Sequence, residues 1–456
     1  LKRSQNQLLY EKLRNEFPFF EYQSYHFWED DVHFHLNFSF NLAGKFTFKP
    51  EMRIPKRDFL SSANKTEALN WLAFHIGMVE LVSYWKLACP PQVLIRPFSL
   101  DRNQLNWWKK LYYNGLGEFF YVNGITANLA DFMEISCDSD ACGKPWEGKP
   151  NPSLTLVPIG GGKDSAVTLD LISKSGMPTL PFIVNPRKAI LDTLHIAGFN
   201  EEEVVIVHRS LDPLMLRLNS EGFLNGHTPF SALLAFTTAF TALLADSGLI
   251  ALSNESSANE PTVIGQNINH QYSKSLEFED DFREYMNHYL LKNSTYFSFL
   301  RPLSELQIAA IFSRLEAYHP FFRSCNVGSK TDSWCNNCPK CLFTFLMLRT
   351  FLPHDKVIGI FGEDLLEESS LQSMMDKLLG KTEAKPFECV GTVDEVELAS
   401  KIIAKQFGSK KPLLLRAIDD SISNPETRLK SALHQWGENR IPNEKLAKLL
   451  RDALDD

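Results

Sequence analysis

The sequence predicts an α/β fold: a doubly wound parallel sheet in the middle of the chain, an N-terminal α+β part and a helical C-terminal region. Three observations predict it. Between residues 154 and 253, short apolar runs alternate with helical patterns, as strands and crossover helices of a parallel sheet do. Before residue 150 an apolar period of two marks antiparallel strands. After residue 355, helical patterns with charged faces follow one another, with short breaks at Gly380 and Gly408. A chain of 456 residues suits about three domains, and the shifts in character set them at 1–150, 151–350 and 351–456.

In the N-terminal part, Val32, Phe34, Leu36, Phe38 and Phe40 alternate with Asp31, His33, His35, Asn37 and Ser39. That is a half-buried strand. Asn41 to Lys45 can turn, and Phe46 and Phe48 resume the alternation, so a hairpin is expected. His33 and His35 share a face, read as a solvated polar face rather than a metal site. Residues 66–87 read as a helix whose Trp71, Phe74, Met78, Val79, Val82 and Trp85 recur at core spacing. Trp107, Trp108, Tyr112 and Tyr113 are expected to pack rather than face a sugar. The breaker-rich Asp138 to Pro152 reads as a linker.

The central part opens with an apolar run, Leu154 to Ile159, that ends in Gly160, Gly161 and Gly162, then Lys163, Asp164 and Ser165, with a helical pattern immediately after. A strand, a glycine turn and a helix N-terminus make a phosphate cradle, because glycine lets backbone approach the ligand and free N–H groups face the anion. Lys163 adds a mobile positive charge, Asp164 suits a magnesium ion or its water, and Ser165 suits a phosphate oxygen. The spacing fits neither G-x-x-x-x-G-K-[ST] nor G-x-G-x-x-G. Further strands are expected at Leu180 to Val184, Val204 to Val207 and Leu249 to Ser253. Helices are expected at Lys188 to Ala197, near Leu214 to Leu218, and over residues 229–246. Ligands of such sheets bind beyond the strand carboxyl ends. That gathers Gly160 to Ser165, Asn185 to Arg187, His208 to Ser210 and Asn254 to Asn259 around one crevice.

The chain has 8 cysteines, and Cys325, Cys335, Cys338 and Cys341 fall in one stretch. C-x9-C-x2-C-x2-C suits a closed tetrahedral thiolate site, with zinc the default and an iron–sulfur cluster the competitor. Leu342 to Leu352 continues as an apolar helix stopped by Pro353, and residues 426–456 again carry helical spacing with mixed charge.

GGGKDS resembles the SGGxDS loop of the PP-loop ATP pyrophosphatases, with Gly160 where that family usually has serine. The loop and the cysteine spacing together are similar to 7-cyano-7-deazaguanine synthases over residues 154–345. A narrower likeness runs through PIGGGKDSAVTLDL, NGHTPFSALLAF, LSNESSANEPTV, NHQYSKSLEFE, LRPLSELQIAAIFS and CNVGSK…WCNNCPKCLF. These segments resemble the MurL-type UDP-N-acetylmuramoyl-L-alanyl-L-glutamate epimerases of peptidoglycan precursor synthesis. The resemblance implies inversion of the terminal L-glutamate of UDP-MurNAc-L-Ala-L-Glu, with ATP and magnesium consumed to AMP and pyrophosphate through an acyl-adenylate.

Residue by residue, the loop assignment gives Gly160, Gly161, Gly162, Lys163, Asp164 and Ser165 to the ATP phosphates, with Asp164 near Mg2+. Glu255 is a candidate second magnesium ligand or base, against a solvated loop carboxylate. His227 and His270 are candidate bases, since imidazole titrates near neutrality, against polar surface. Lys274, Glu277 and Glu279 are expected to form a charged helix face. Arg187 and Arg323 are candidates to clamp a carboxylate or phosphate, against structural ion pairs. The cysteines are assigned a structural Zn2+.

Hydrophobic content of 44% and charge of 22% suit a soluble protein with ample core, and a net charge of -8 disfavours a general nucleic-acid surface. Residues 229–246 carry too many hydroxyls for a membrane span. No charged–apolar–small leader opens the chain, so a cytoplasmic protein is expected. The competing readings are a PP-loop ligase or amide synthetase, a tRNA thiolase, and a non-catalytic nucleotide-binding module.

Overall fold

A computed structural model of the chain describes residues 5–418 and 424–455. Its Cα packing divides it into two units, each made of separate stretches of chain. The first holds the described residues up to Leu156, with Val205–Ile250 and Ile268–Tyr296. The second holds Val157–Val204, Ala251–Asn267 and the described residues from Phe297 onward.

In the first unit the predicted alternation becomes the strand His33–Leu42. Phe34, Leu36, Phe38 and Phe40 are buried, and His33, His35, Asn37 and Ser39 are half-buried between them. It pairs antiparallel with Phe19–Glu29, with a register shift between Tyr22 and Ser24. It also pairs antiparallel with Phe46–Phe48, which completes the expected hairpin, and with Glu51–Pro55. Beyond Phe19–Glu29 the sheet continues in parallel through Gln92–Ile95 and Glu134–Cys137. Beyond Glu51–Pro55 it takes up Val205–Ser210.

That last pairing sets Val205–Ser210 beside a strand of the N-terminal part, a neighbour the sequence reading did not give it. Met52 lies opposite Arg209 and Arg53 opposite His208 in an antiparallel ladder. The apolar run Val205 to Val207 is buried, and such a run fits either ladder, because period alone does not encode strand direction. The parallel arrangement does hold for Asn151–Pro158 and Ser247–Leu252, with Leu249 beside Thr155 and Ile250 beside Leu156. The fold is therefore mixed α/β, with a large sheet that combines both pairing senses.

The helix Thr66–Trp85 lies on this sheet and is buried along almost its whole length. Tyr22 donates its hydroxyl to the Phe74 carbonyl at 3.3 Å and stacks on the Phe74 ring. One turn on, a Cβ at Gly77 would fall 1.9 Å from the Tyr22 hydroxyl, so only glycine lets strand and helix approach this closely. Helix Phe230–Ala245 packs against Thr66–Trp85 and is apolar on all sides because it too is enclosed. His75, Gln104 and Trp108 all bond the Tyr285 hydroxyl at 2.9–3.1 Å. Trp108 and Tyr112 are fully buried, so the aromatic stretch packs core as expected.

In the second unit the strand end at Ile159 bonds the Phe182 carbonyl of Thr179–Val184 at 2.8 Å. The glycine turn follows, then helix Lys163–Lys174. Helices Glu305–Arg314 and Glu444–Asp455 pack on it. Helix Pro339–Arg349 is nearly all buried, chiefly against Val393–Phe407. Among the described residues, no helix is long and apolar enough to cross a membrane.

Candidate active site

The glycine loop is built as a cradle. Gly161 stands at φ +79, a conformation side chains resist, and a Cβ there would meet Ile190 Cγ1 at 3.0 Å. Gly162 caps helix Lys163–Lys174 with no side chain bonded to its first turn, leaving backbone N–H groups for an anion. Ser165 accepts from the Gly160 N–H at 3.3 Å and donates to the Gly162 carbonyl at 3.0 Å. Both candidate arginines adjoin this turn. The Arg187 guanidinium donates to the Gly160 carbonyl at 3.2 Å, and the Arg323 backbone N–H donates to the Gly161 carbonyl at 2.8 Å. The Arg323 side chain is spent on the carbonyls of Pro320, Phe322 and Asp332.

Lys163 departs from the expectation of a mobile charge. It is buried, and its ammonium donates to both Asp164 and Glu305. Burial presses its pKa down, but the two carboxylates more than offset this and the net shift is upward. The residue that immobilises it, Glu305, stands at the start of a helix 142 positions away in sequence.

Glu255 is buried, only 6% exposed, and so is not a solvated loop carboxylate. It caps the short turn Ser256–Asn259 by accepting from the Ser257 N–H, and its carbonyl accepts from Arg301 at 2.6 Å. Burial first, then the charge of Glu395, raise its pKa to about 7, with a further push from Asp164. Beside it the hydroxyls of Ser253 and Ser257 are buried without any hydrogen-bond partner. Orphaned donors next to a carboxylate cluster are unusual in a finished core. Glu305, Ser253 and Ser257 were given no role from sequence. The only sequence signal was the string around Glu255, where hydroxyl and acidic residues crowd directly after a strand.

His227 and His270 come together in the first unit, with a third residue that the sequence reading missed. The Nδ1 atoms of both rings face the same Glu118 carboxylate oxygen, at 3.5 Å for His227 and 2.5 Å for His270. The ring centroids are 4.6 Å apart. Burial, and after it the His270 ring, depress the His227 pKa to about 4, while Glu118 opposes the shift. His208 to Ser210 also belong to the first unit, where Arg209 pairs with the buried Glu80. Lys274 ends the turn before helix Leu276–Tyr285 and Glu277 stands in that helix's first turn, but Glu279 is buried, so a uniformly charged helix face does not form.

The four clustered cysteines converge as the spacing predicts and can hold a metal ion. Sulfur separations are 3.9 Å for Cys325–Cys338, 3.8 Å for Cys335–Cys341 and 3.5 Å for Cys338–Cys341. A metal with thiolate bonds of about 2.3 Å at tetrahedral angles holds its sulfurs about 3.8 Å apart. The thiols are free, too far apart for disulfides.

Two family models match the chain: the MurL N-terminal domain over residues 11–299 and the MurL C-terminal domain over residues 321–432. The chain belongs to the MurL family. Relatives of this MurL chain carry the name UDP-N-acetyl-alpha-D-muramoyl-L-alanyl-L-glutamate epimerase. The protein from Salinispora tropica is 35% identical over 363 residues, 78% of each chain. That from Micromonospora sp. is 35% identical over 78% of this chain and 79% of its own. That from Xanthomonas oryzae pv. oryzae is 31% identical over 396 residues, 84% of this chain and 86% of its own. No solved structure matches the MurL chain.

Proposed function

We propose that this chain is an ATP-dependent epimerase that inverts the terminal L-glutamate of UDP-MurNAc-L-Ala-L-Glu, forming an acyl-adenylate and releasing AMP and pyrophosphate in the cytoplasm. Membership of the MurL family supports the substrate. The observation that carries the chemistry is an uncapped helix start behind a glycine turn in the same unit as a buried Glu255 whose pKa burial raises to about 7.

The α-hydrogen beside a free carboxylate is scarcely acidic, because its removal would place a second negative charge next to the first. Transfer of AMP to the carboxylate gives a neutral acyl group that accepts charge when the proton leaves. The N–H groups at the start of Lys163–Lys174 suit the phosphates. Asp164, whose side chain is 35% exposed and accepts from Lys163 through one oxygen, is the carboxylate that would face a magnesium ion, which takes one or two protein carboxylates beside phosphate oxygens. When bound, that ion would offset phosphate charge. The orphaned hydroxyls of Ser253 and Ser257 suit polar groups of the acyl-adenylate. Glu255, half ionised near neutrality, is assigned as the base that takes the α-proton. Return of a proton to the opposite face inverts the centre, and water then frees AMP. Zinc suits the four cysteines, in a structural role that pins helix Pro339–Arg349.

The test is pyrophosphate release from ATP and magnesium in deuterated water, with and without UDP-MurNAc-L-Ala-L-Glu, with the product analysed by mass. Substrate-dependent pyrophosphate with deuterium at the glutamate α-carbon is expected. Pyrophosphate without label would overturn proton abstraction, and no pyrophosphate would overturn ATP use. Asp164→Ala should abolish pyrophosphate release, and full activity in that variant would remove the loop from the reaction.

A further inference from the structure

We infer that Glu118, His227 and His270 form a divalent transition-metal site in the first unit, separate from the four cysteines. The three residues come from distant stretches: the short helix Gly117–Asn123, the loop before helix Phe230–Ala245, and the segment before the turn Tyr272–Lys274. Folding brings one ligand atom from each within 4.8 Å of the others. Both Nδ1 atoms converge on a single oxygen, Glu118 Oε2. His270 is close enough to share a proton with it, but His227 at 3.5 Å lies beyond a good hydrogen bond. A convergence of three donors on one point, with only one contact made well, is the arrangement that a cation completes.

Two imidazoles and a carboxylate are the donor set of zinc and its neighbours rather than of calcium or magnesium. Metal–ligand bonds of about 2.0–2.2 Å at tetrahedral angles set the donor atoms about 3.4 Å apart, so an ion seats here after side-chain shifts of about 1 Å. Glu118 and His270 have side chains only 10% and 11% exposed, and His227 is 27% exposed, so the point is sheltered yet reachable. The charges of Lys86 and Lys274 act on His227, and the Lys86 ammonium is held by the Gly226 carbonyl at 2.5 Å. Three protein ligands leave a coordination position open, whereas four thiolates close the cysteine site. The hairpin group Asp30, His33 and His35 is a weaker candidate. Its carboxylate is 42% exposed and the His35 ring is already stacked on Trp28 at 3.8 Å.

The test is metal content of the whole chain, produced in zinc-supplemented medium and analysed by plasma mass spectrometry after gel filtration. Two zinc equivalents are expected, one lost in Cys338→Ser and the other in Glu118→Gln or His270→Ala. Cobalt titration of the metal-free chain, and of those variants whose circular dichroism and gel-filtration volume match the parent, separates the two sites. Cobalt at the cysteines gives intense thiolate charge-transfer absorption, while cobalt on nitrogen and oxygen gives only weak visible bands, expected to persist in Cys338→Ser. A single equivalent carried by the cysteines, with no visible cobalt bands in Cys338→Ser, would overturn the site. The result is independent of the epimerase reading, which the pyrophosphate assay tests alone.

Discussion

A carboxylate buried among other carboxylates keeps its proton past its ordinary range, and Glu255 is in that position. In the unfolded chain it ionises near about 4.3; folded, it does so at about 7. Between those values the folded state binds more protons, so stability falls as pH rises from about 4 to about 7. Glu255→Gln removes that loss. Above pH 7 the variant should gain on the order of 1–3 kcal/mol, read from urea unfolding, and below pH 4 the difference should vanish. Activity should move oppositely, because the base must be ionised. Wild-type turnover climbs through pH 7, and the variant drops roughly 100-fold or more; equal turnover would take Glu255 out of the chemistry. The glycines divide just as clearly. A Cβ at Gly160 meets nothing within 4 Å, so Gly160→Ser should leave the melting temperature unchanged. Gly161→Ala, at positive φ against Ile190, should cost roughly 1–2 kcal/mol. The run GGGKDS was legible in the sequence because its chemistry is local. Glu305 and Glu118 were not, because each acts on a residue more than a hundred positions away and no spacing announces it.

At the scale of elements, hydrophobic period placed the hairpin at His33–Leu42 and the helices at Thr66–Trp85 and Phe230–Ala245 with only small shifts at their ends. It gave no sign of which distant strand would pair with Val205–Ser210. Val205–Ser210 is apolar enough for any ladder, and its antiparallel place beside Glu51–Pro55 is decided by tertiary contacts. The cysteine spacing was legible because two short C-x2-C steps force neighbouring sulfurs together. Helix Pro339–Arg349 starts at Cys338 and carries Cys341 in its first turn, so metal and helix should be lost together. Cys338→Ser should lower the melting temperature and lose one metal equivalent; a variant with unchanged melting temperature and metal content would refute the coupling.

At the scale of the whole molecule, the sequence divides the chain into three successive domains, whereas its packing forms two units that the chain enters repeatedly. Composition reports what a segment is made of but not which distant segment will cover it. A fragment of residues 1–156 therefore lacks helix Phe230–Ala245, which covers helix Thr66–Trp85. It should show a molten circular dichroism spectrum without near-ultraviolet signal and bind a hydrophobic dye; a cooperatively unfolding fragment would disprove this. The same interleaving has a consequence in time. Ribosomes add about 5–20 residues per second, so the apolar helix ending at Trp85 waits roughly 10–30 s before its covering helix emerges. Through that interval it stands bare on the nascent chain, so the yield of folded protein should depend on translation speed and on chaperones that shield it until residue 245 is free.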